Sequence, residues 1–156
     1  MQRANTGRQA RWQLNATLGP MKSDPFNGMW KLNVAASTIP FAPPRSVILQ
    51  IEAGEHLVRF TENSISAEGV PEAVTIEAKP DNESCPVIGS AIADGFAIDR
   101  IDAHTWKTRG FKAGETVFTA TLVMSADGQS FREDGETTLT GGARAGVSLV
   151  YERCDI

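Results

Sequence analysis

Apolar and polar residues alternate with period two through most of the chain from Trp30 onward. Trp30, Leu32 and Val34 alternate with Lys31 and Asn33; Val47, Leu49 and Ile51 with Ile48, Gln50 and Glu52; Val74, Ile76 and Ala78 with Thr75, Glu77 and Lys79. This period sends successive side chains to opposite faces of an extended chain, so one face is mostly apolar and the other mostly wet. Turn signals recur at hairpin spacing: Ala53-Gly54-Glu55, Ala67-Glu68-Gly69, Ala93-Asp94-Gly95, Ala113-Gly114-Glu115 and Ala126-Asp127-Gly128. Each lies between strand-like runs, as tight reversals require. Further strands are predicted over 96–102, 105–111, 116–125, 130–140 and 147–154, giving about nine or ten in all. No segment competes as a helix, and there is no internal repeat. A meander of this size closes on itself, because closure removes unpaired strand edges. The expected fold is therefore all-β, a single antiparallel up-and-down barrel. Such a barrel is either packed solid or holds one small ligand, and periodicity leaves both open.

Composition narrows the partners. The 156 residues carry 15 Lys and Arg against 19 Asp and Glu, a formal charge of −4, which gives no reason to expect a nucleic acid. No apolar run approaches the roughly 20 residues of a membrane helix, so a soluble protein without a membrane span is expected. Cys85 and Cys154 fall outside any ligand-spaced cluster and are read as reduced thiols, with one bridge between them as the alternative. Residues 1–23 differ from the rest: Arg3, Arg8 and Arg11 stand among Gln, Asn, Thr and Gly without periodicity. They are expected to form a disordered N-terminal extension to a barrel domain over residues 24–156. That stretch lacks the continuous apolar core of a secretory signal, so the cytoplasm is the default compartment, with a secreted or periplasmic location if a leader was removed. The sequence sets no oligomeric state.

Groups with chemistry are few. His56 follows the Gly54 turn, and His104 sits in the Asp102-Ala103-His104 reversal, where it could reach the barrel mouth. Asp99-Arg100 and Arg132-Glu133 are neighbouring charged pairs on middle strands, and alternation places one member of each inside without saying which. The candidate acid–base groups are accordingly His104, Asp99 and Glu133. Cys85 precedes Pro86, and nothing adjacent would lower its thiol pKa. No phosphate loop, nucleotide fingerprint or metal-ligand spacing is present, so no cofactor and no metal are expected.

Two short segments carry a family resemblance. Phe26-Asn27-Gly28-Met29-Trp30-Lys31-Leu32 resembles the opening of the calycin superfamily, which includes lipocalins and fatty-acid-binding proteins, and Val150-Tyr151-Glu152-Arg153 resembles its closing strand. The resemblance implies a calycin-like barrel in which Gly28, Trp30 and Arg153 are a structural signature, with Arg153 covering the Trp30 indole at the closed end. A guanidinium on an indole face contributes about 0.5 to 2 kcal/mol. The chain departs from the fatty-acid-binding pattern at Leu149, where those proteins carry an arginine two positions before the tyrosine. It also has no helical lid, since the segment 35–46 contains Pro40, Pro43 and Pro44. Ile39 and Phe41 are expected either to cap the mouth or to pack on the wall. Val147, Leu149, Tyr151 and Arg153 share a face, so Tyr151 points inward if Arg153 covers Trp30. Tyr151 is then either the polar anchor of a ligand or a structural hydrogen-bonding group. The candidate ligand-binding residues are Tyr151, Leu149, Phe41 and Ile39, and the expected partner is a small hydrophobic or amphipathic molecule. An enzyme of isomerase, cyclase, lyase or hydrolase type in the same cavity is the alternative, and a packed barrel without ligand is the second.

Overall fold

A computed structural model describes residues 24 to 154, so the extension expected over residues 1–23 lies outside the described residues. Ten strands follow in order: β1 Gly28–Leu32, β2 Ser46–Ala53, β3 Val58–Ile65, β4 Pro71–Ala78, β5 Cys85–Ile88, β6 Gly95–Asp102, β7 Thr105–Lys112, β8 Glu115–Met124, β9 Ser130–Thr138 and β10 Arg144–Cys154. Each is antiparallel to its sequence neighbours, and β1 closes on β10, so the sheet is a closed up-and-down barrel. The first and last strands meet in one register, with Trp30 opposite Arg153 and Leu32 opposite Tyr151. No helix among the described residues is long and apolar enough to cross a membrane.

Two local features differ from the sequence expectation. A single 3-10 turn, Val34–Ala36, follows β1, capped by the Asn33 side chain, which accepts from the Ala36 amide at 3.1 Å. The strand β5 is a short stave pairing through two positions with β4 and two with β6. Pro86 within it brings no amide donor, and four residues carry too little alternation to declare a strand.

The closed end is built from aromatic rings. Phe26 is held there by the Asp24 turn, whose carboxylate accepts from the Phe26 amide at 2.9 Å. Its ring stacks on Trp106 at 4.1 Å and meets Phe131 edge-on at 5.5 Å, while Trp30 meets Phe131 at 4.9 Å. All four are fully buried or nearly so. Arg153 lies across this plug, its guanidinium 4.2 Å from the Trp30 ring centre. It donates to the carbonyls of Asn27 at 2.7 Å, Pro25 at 2.9 Å and Gly128 at 3.0 Å. The entry loop before β1 and the β8–β9 turn are thereby tied to the last strand. A second cation repeats the theme: Arg100 sits 5.6 Å from the Trp106 ring centre, donates to the Gly54 carbonyl at 2.9 Å, and faces Asp24 at 3.6 Å.

Gly28 makes the Arg153 arrangement possible. Its φ of +134° is a conformation L side chains rarely adopt, and a Cβ there would lie 2.5 Å from Arg153 Nη1. Replacing Gly28 with Ala is expected to cost about 1 to 3 kcal/mol, through backbone strain and displacement of the guanidinium. Arg153→Lys keeps the charge but loses the planar fork, and is expected to cost about 2 to 4 kcal/mol because at least two carbonyl bonds go unmade. Urea unfolding of both variants checks these values; unchanged midpoints would remove the floor from its structural role.

Candidate functional site

Above the aromatic plug the lumen is not filled. Ala120 and Gly135 are Cα partners on β8 and β9 and put little bulk into the interior at that level. Gly110 on β7 likewise has no side chain, and the Phe118 ring from β8 folds over it. The space left is a cleft of two lobes, of ≈ 260 Å³ and ≈ 330 Å³, which share Phe41, Glu62, Ile92, Val147 and Leu149 as walls. Pockets that hold small molecules start at about this size.

The cleft opens at the end opposite Arg153. The proline-rich segment after the 3-10 turn brings Ile39 and Phe41 there, the β3–β4 turn brings Glu68, and the β5–β6 connection brings Ser90 and Ile92. Ile39 is half-buried against the core, whereas Phe41 and Ile92 are 51% and 65% exposed. Both rim residues are apolar and partly in solvent, an arrangement that shields the cleft without sealing it. Leu149 lines both lobes.

Among the polar side chains that line the cleft, Glu62, Glu133 and Tyr151 stand on the inner faces of their strands. Glu62 follows Val58 and Phe60 on the inner face of β3, and Glu133 follows Phe131 on the inner face of β9. Tyr151 is 4% exposed, stacks on Phe131 at 4.9 Å, and lines the larger lobe. Its neighbour on the register is Phe131, which places Glu133 diagonally beside it on the same face. Burial pushes the Glu133 carboxyl up to about 7, with Glu62 and Asp134 adding like charge. Burial likewise raises Glu62, helped by Glu72, and raises the Tyr151 phenol well above its usual range, helped by Glu133 and Glu62. The three groups therefore feel one another, yet no hydrogen bond to a described residue contributes to any of these shifts.

The other candidates lie elsewhere. His104 occupies the β6–β7 turn, where its carbonyl accepts from the Met124 amide at 2.9 Å. That turn is at the closed end beside Asp24, not at the mouth, because β6 runs from the mouth down to the floor. Asp99 is on the side of β6 opposite the fully buried Ile98, with Lys107 as its Cα partner, and so faces away from the lumen. In the two charged pairs the inner members are Arg100, at the floor, and Glu133, while Arg132 is exposed and donates to Ser148 at 3.0 Å. Cys85 and Cys154 are both free, and burial raises the Cys85 thiol pKa, the opposite of what a nucleophile needs. Glu62 was not singled out from the sequence, although counting by two from Val58 through Phe60 reaches it.

No family model matches the chain, and no curated protein matches it. Among solved structures it is similar to a redesigned β-barrel, with a TM-score of 0.50 and 10% identity over 84% of this chain and 93% of that one. At that identity the likeness is one of fold, a closed antiparallel barrel.

Glu133 links the cavity to stability. The carboxyl titrates near 4.5 when unfolded and about 7 when folded, so the folded state holds its proton more tightly. Its contribution is complete below about pH 4.5 and is lost as pH rises towards 7, at up to about 1.4 kcal/mol per pH unit. Glu133→Gln is expected to flatten that fall and to be the more stable protein above pH 7. Urea midpoints of parent and variant at about pH 5 and about pH 8 measure it; parallel pH curves would mean that the carboxyl is solvated.

Proposed function

We propose that the chain is a calycin-like container that binds a small amphipathic molecule in the cleft above its aromatic plug. The observation that carries this reading is the unfilled lumen lined by Tyr151, Glu62 and Glu133, none of which has a hydrogen-bond partner among the described residues. A packed structural barrel would fill that volume with side chains, since interiors are close-packed and an unpaired buried carboxyl costs stability. In this reading Tyr151 supplies the polar contact, Leu149 the apolar wall, and Ile39 and Phe41 the rim. The segments around Trp30 and Arg153, which resemble the two ends of calycin barrels, support the family assignment.

A second reading is favoured by Glu133. A carboxyl poised at about 7 beside a phenol can give and take a proton at neutral pH, which is what general acid–base catalysis of a bound guest requires. Barrels of this kind serve either role, so the site and not the fold decides.

Two measurements test the container. Native mass spectrometry of protein from its own host is expected to show a retained small molecule. Titration with the apolar dye Nile red is expected to give saturable, blue-shifted emission that Leu149→Trp abolishes while leaving the circular dichroism unchanged. If the indole leaves dye binding intact, the guest site is not this cleft. Turnover of a retained molecule, lost in Glu133→Gln, would favour the catalytic reading.

A further inference from the structure

The geometry points to an organic ammonium ion with an apolar body as the guest, its nitrogen seated among Glu62, Glu133 and the Tyr151 hydroxyl. This rests on the container reading above and specifies its ligand.

The charge of the lining argues first. Glu62 and Glu133 line one lobe, where Glu136 at the outer edge is paired with Arg144 at 3.3 Å, and Glu62, Glu68 and Glu72 line the other, with no Lys, Arg or His among the described lining residues. A concave site lined by one sign of charge, with apolar walls, concentrates ions of the opposite sign. A guest carboxylate would meet this field head-on. A wholly apolar guest would displace water from Glu62, Glu133 and Tyr151 and give nothing back, and buried polar groups stripped of partners are costly.

Valence argues next. An ammonium group offers three donors on one compact charge, and the site offers two carboxylates and a phenol oxygen from β3, β9 and β10. Tyr151 is the independent witness: it is all but buried, it lines the larger lobe together with Glu62, Glu133 lies diagonally across the β9–β10 register from it, and no hydrogen bond from a described residue reaches its hydroxyl. A phenol oxygen beside two carboxyl groups presents acceptors from three strands to a donor-rich guest. A bare metal ion fits less well, because no three His, Cys, Asp or Glu side chains among the described residues are grouped to hold one. The apolar walls above, from Val147, Leu149, Phe96 and Phe118, call instead for a cation that carries hydrocarbon.

Isothermal titration of the full chain near neutral pH with octylamine, octanol and octanoate tests the assignment. Octylamine is expected to bind roughly 10- to 100-fold more tightly than octanol, the span of a charge-assisted hydrogen bond, with octanoate the weakest of the three. In Glu62→Gln/Glu133→Gln the amine and the alcohol are expected to bind alike, and Tyr151→Phe, which keeps the ring on Phe131, is expected to weaken the amine by about 3- to 10-fold. Removing two buried acids relieves the fold, and thermal melts of each variant report that it is intact. If octanol or octanoate matches octylamine in the parent, or if the variants leave the amine's advantage untouched, the ammonium assignment is overturned while the container stands. If none of the three binds and Nile red fails as well, the container reading itself falls.

Discussion

The barrel hangs on the guanidinium of Arg153. A closed sheet needs its first and last strands to meet in register, and register in a sheet slips by one residue only at the cost of turning every side chain to the wrong face. Here the last strand reaches across its own end to three carbonyls on two other segments while its charge lies on the Trp30 ring. A single planar, permanently charged group satisfies three half-buried backbone acceptors, and it does so only in one register. Everything stacked above, from Phe26 and Trp106 to Phe131, takes its position from that seal.

The molecule is divided lengthwise into two chemistries. Below, rings interlock by stacking and by edge contacts and fill the interior, with only Arg100 Nε and Trp106 Nε1 buried there without a partner among the described residues. Above, the same inner faces carry Glu62, Glu133 and Tyr151 between Ala120, Gly135 and aliphatic walls, and the volume stays open. The two halves meet at Phe131, which touches Trp30 below and Tyr151 above. The close-packed contacts thus lie at the floor, and the carboxyl groups raised by burial lie above them.

Much of the fold was readable from residues alone because period-two alternation and glycine turns are local signals. The strands from Ser46 to Ala53 and from Thr105 to Lys112 follow from pattern, and hairpin connections leave closure as the simple solution. The stave Cys85–Ile88 was not readable, since a four-residue strand containing Pro86 owes its existence to the neighbours it bridges. The site was harder. Around Arg132, Glu133 and Asp134 both faces read as polar, so parity has no apolar landmark except Phe131, and the inward carboxyl emerges only once that ring is known to be core. Glu62 hides for the converse reason, as a lone acid continuing an apolar face. The position of His104 depended on strand direction, and direction is a property of the whole topology.

The thin fifth strand has its own implication for how the interior communicates with water. With two pairing positions on either flank, it is the part of the wall where backbone bonds open at least expense, and local opening of this kind precedes global unfolding. Val87 on this strand, with Val74 and Ile76 on the next, belongs to the cleft lining, so a transient gap there would connect the hollow to bulk solvent from the side. Exchange of water with the hollow therefore has a lateral route besides the open rim.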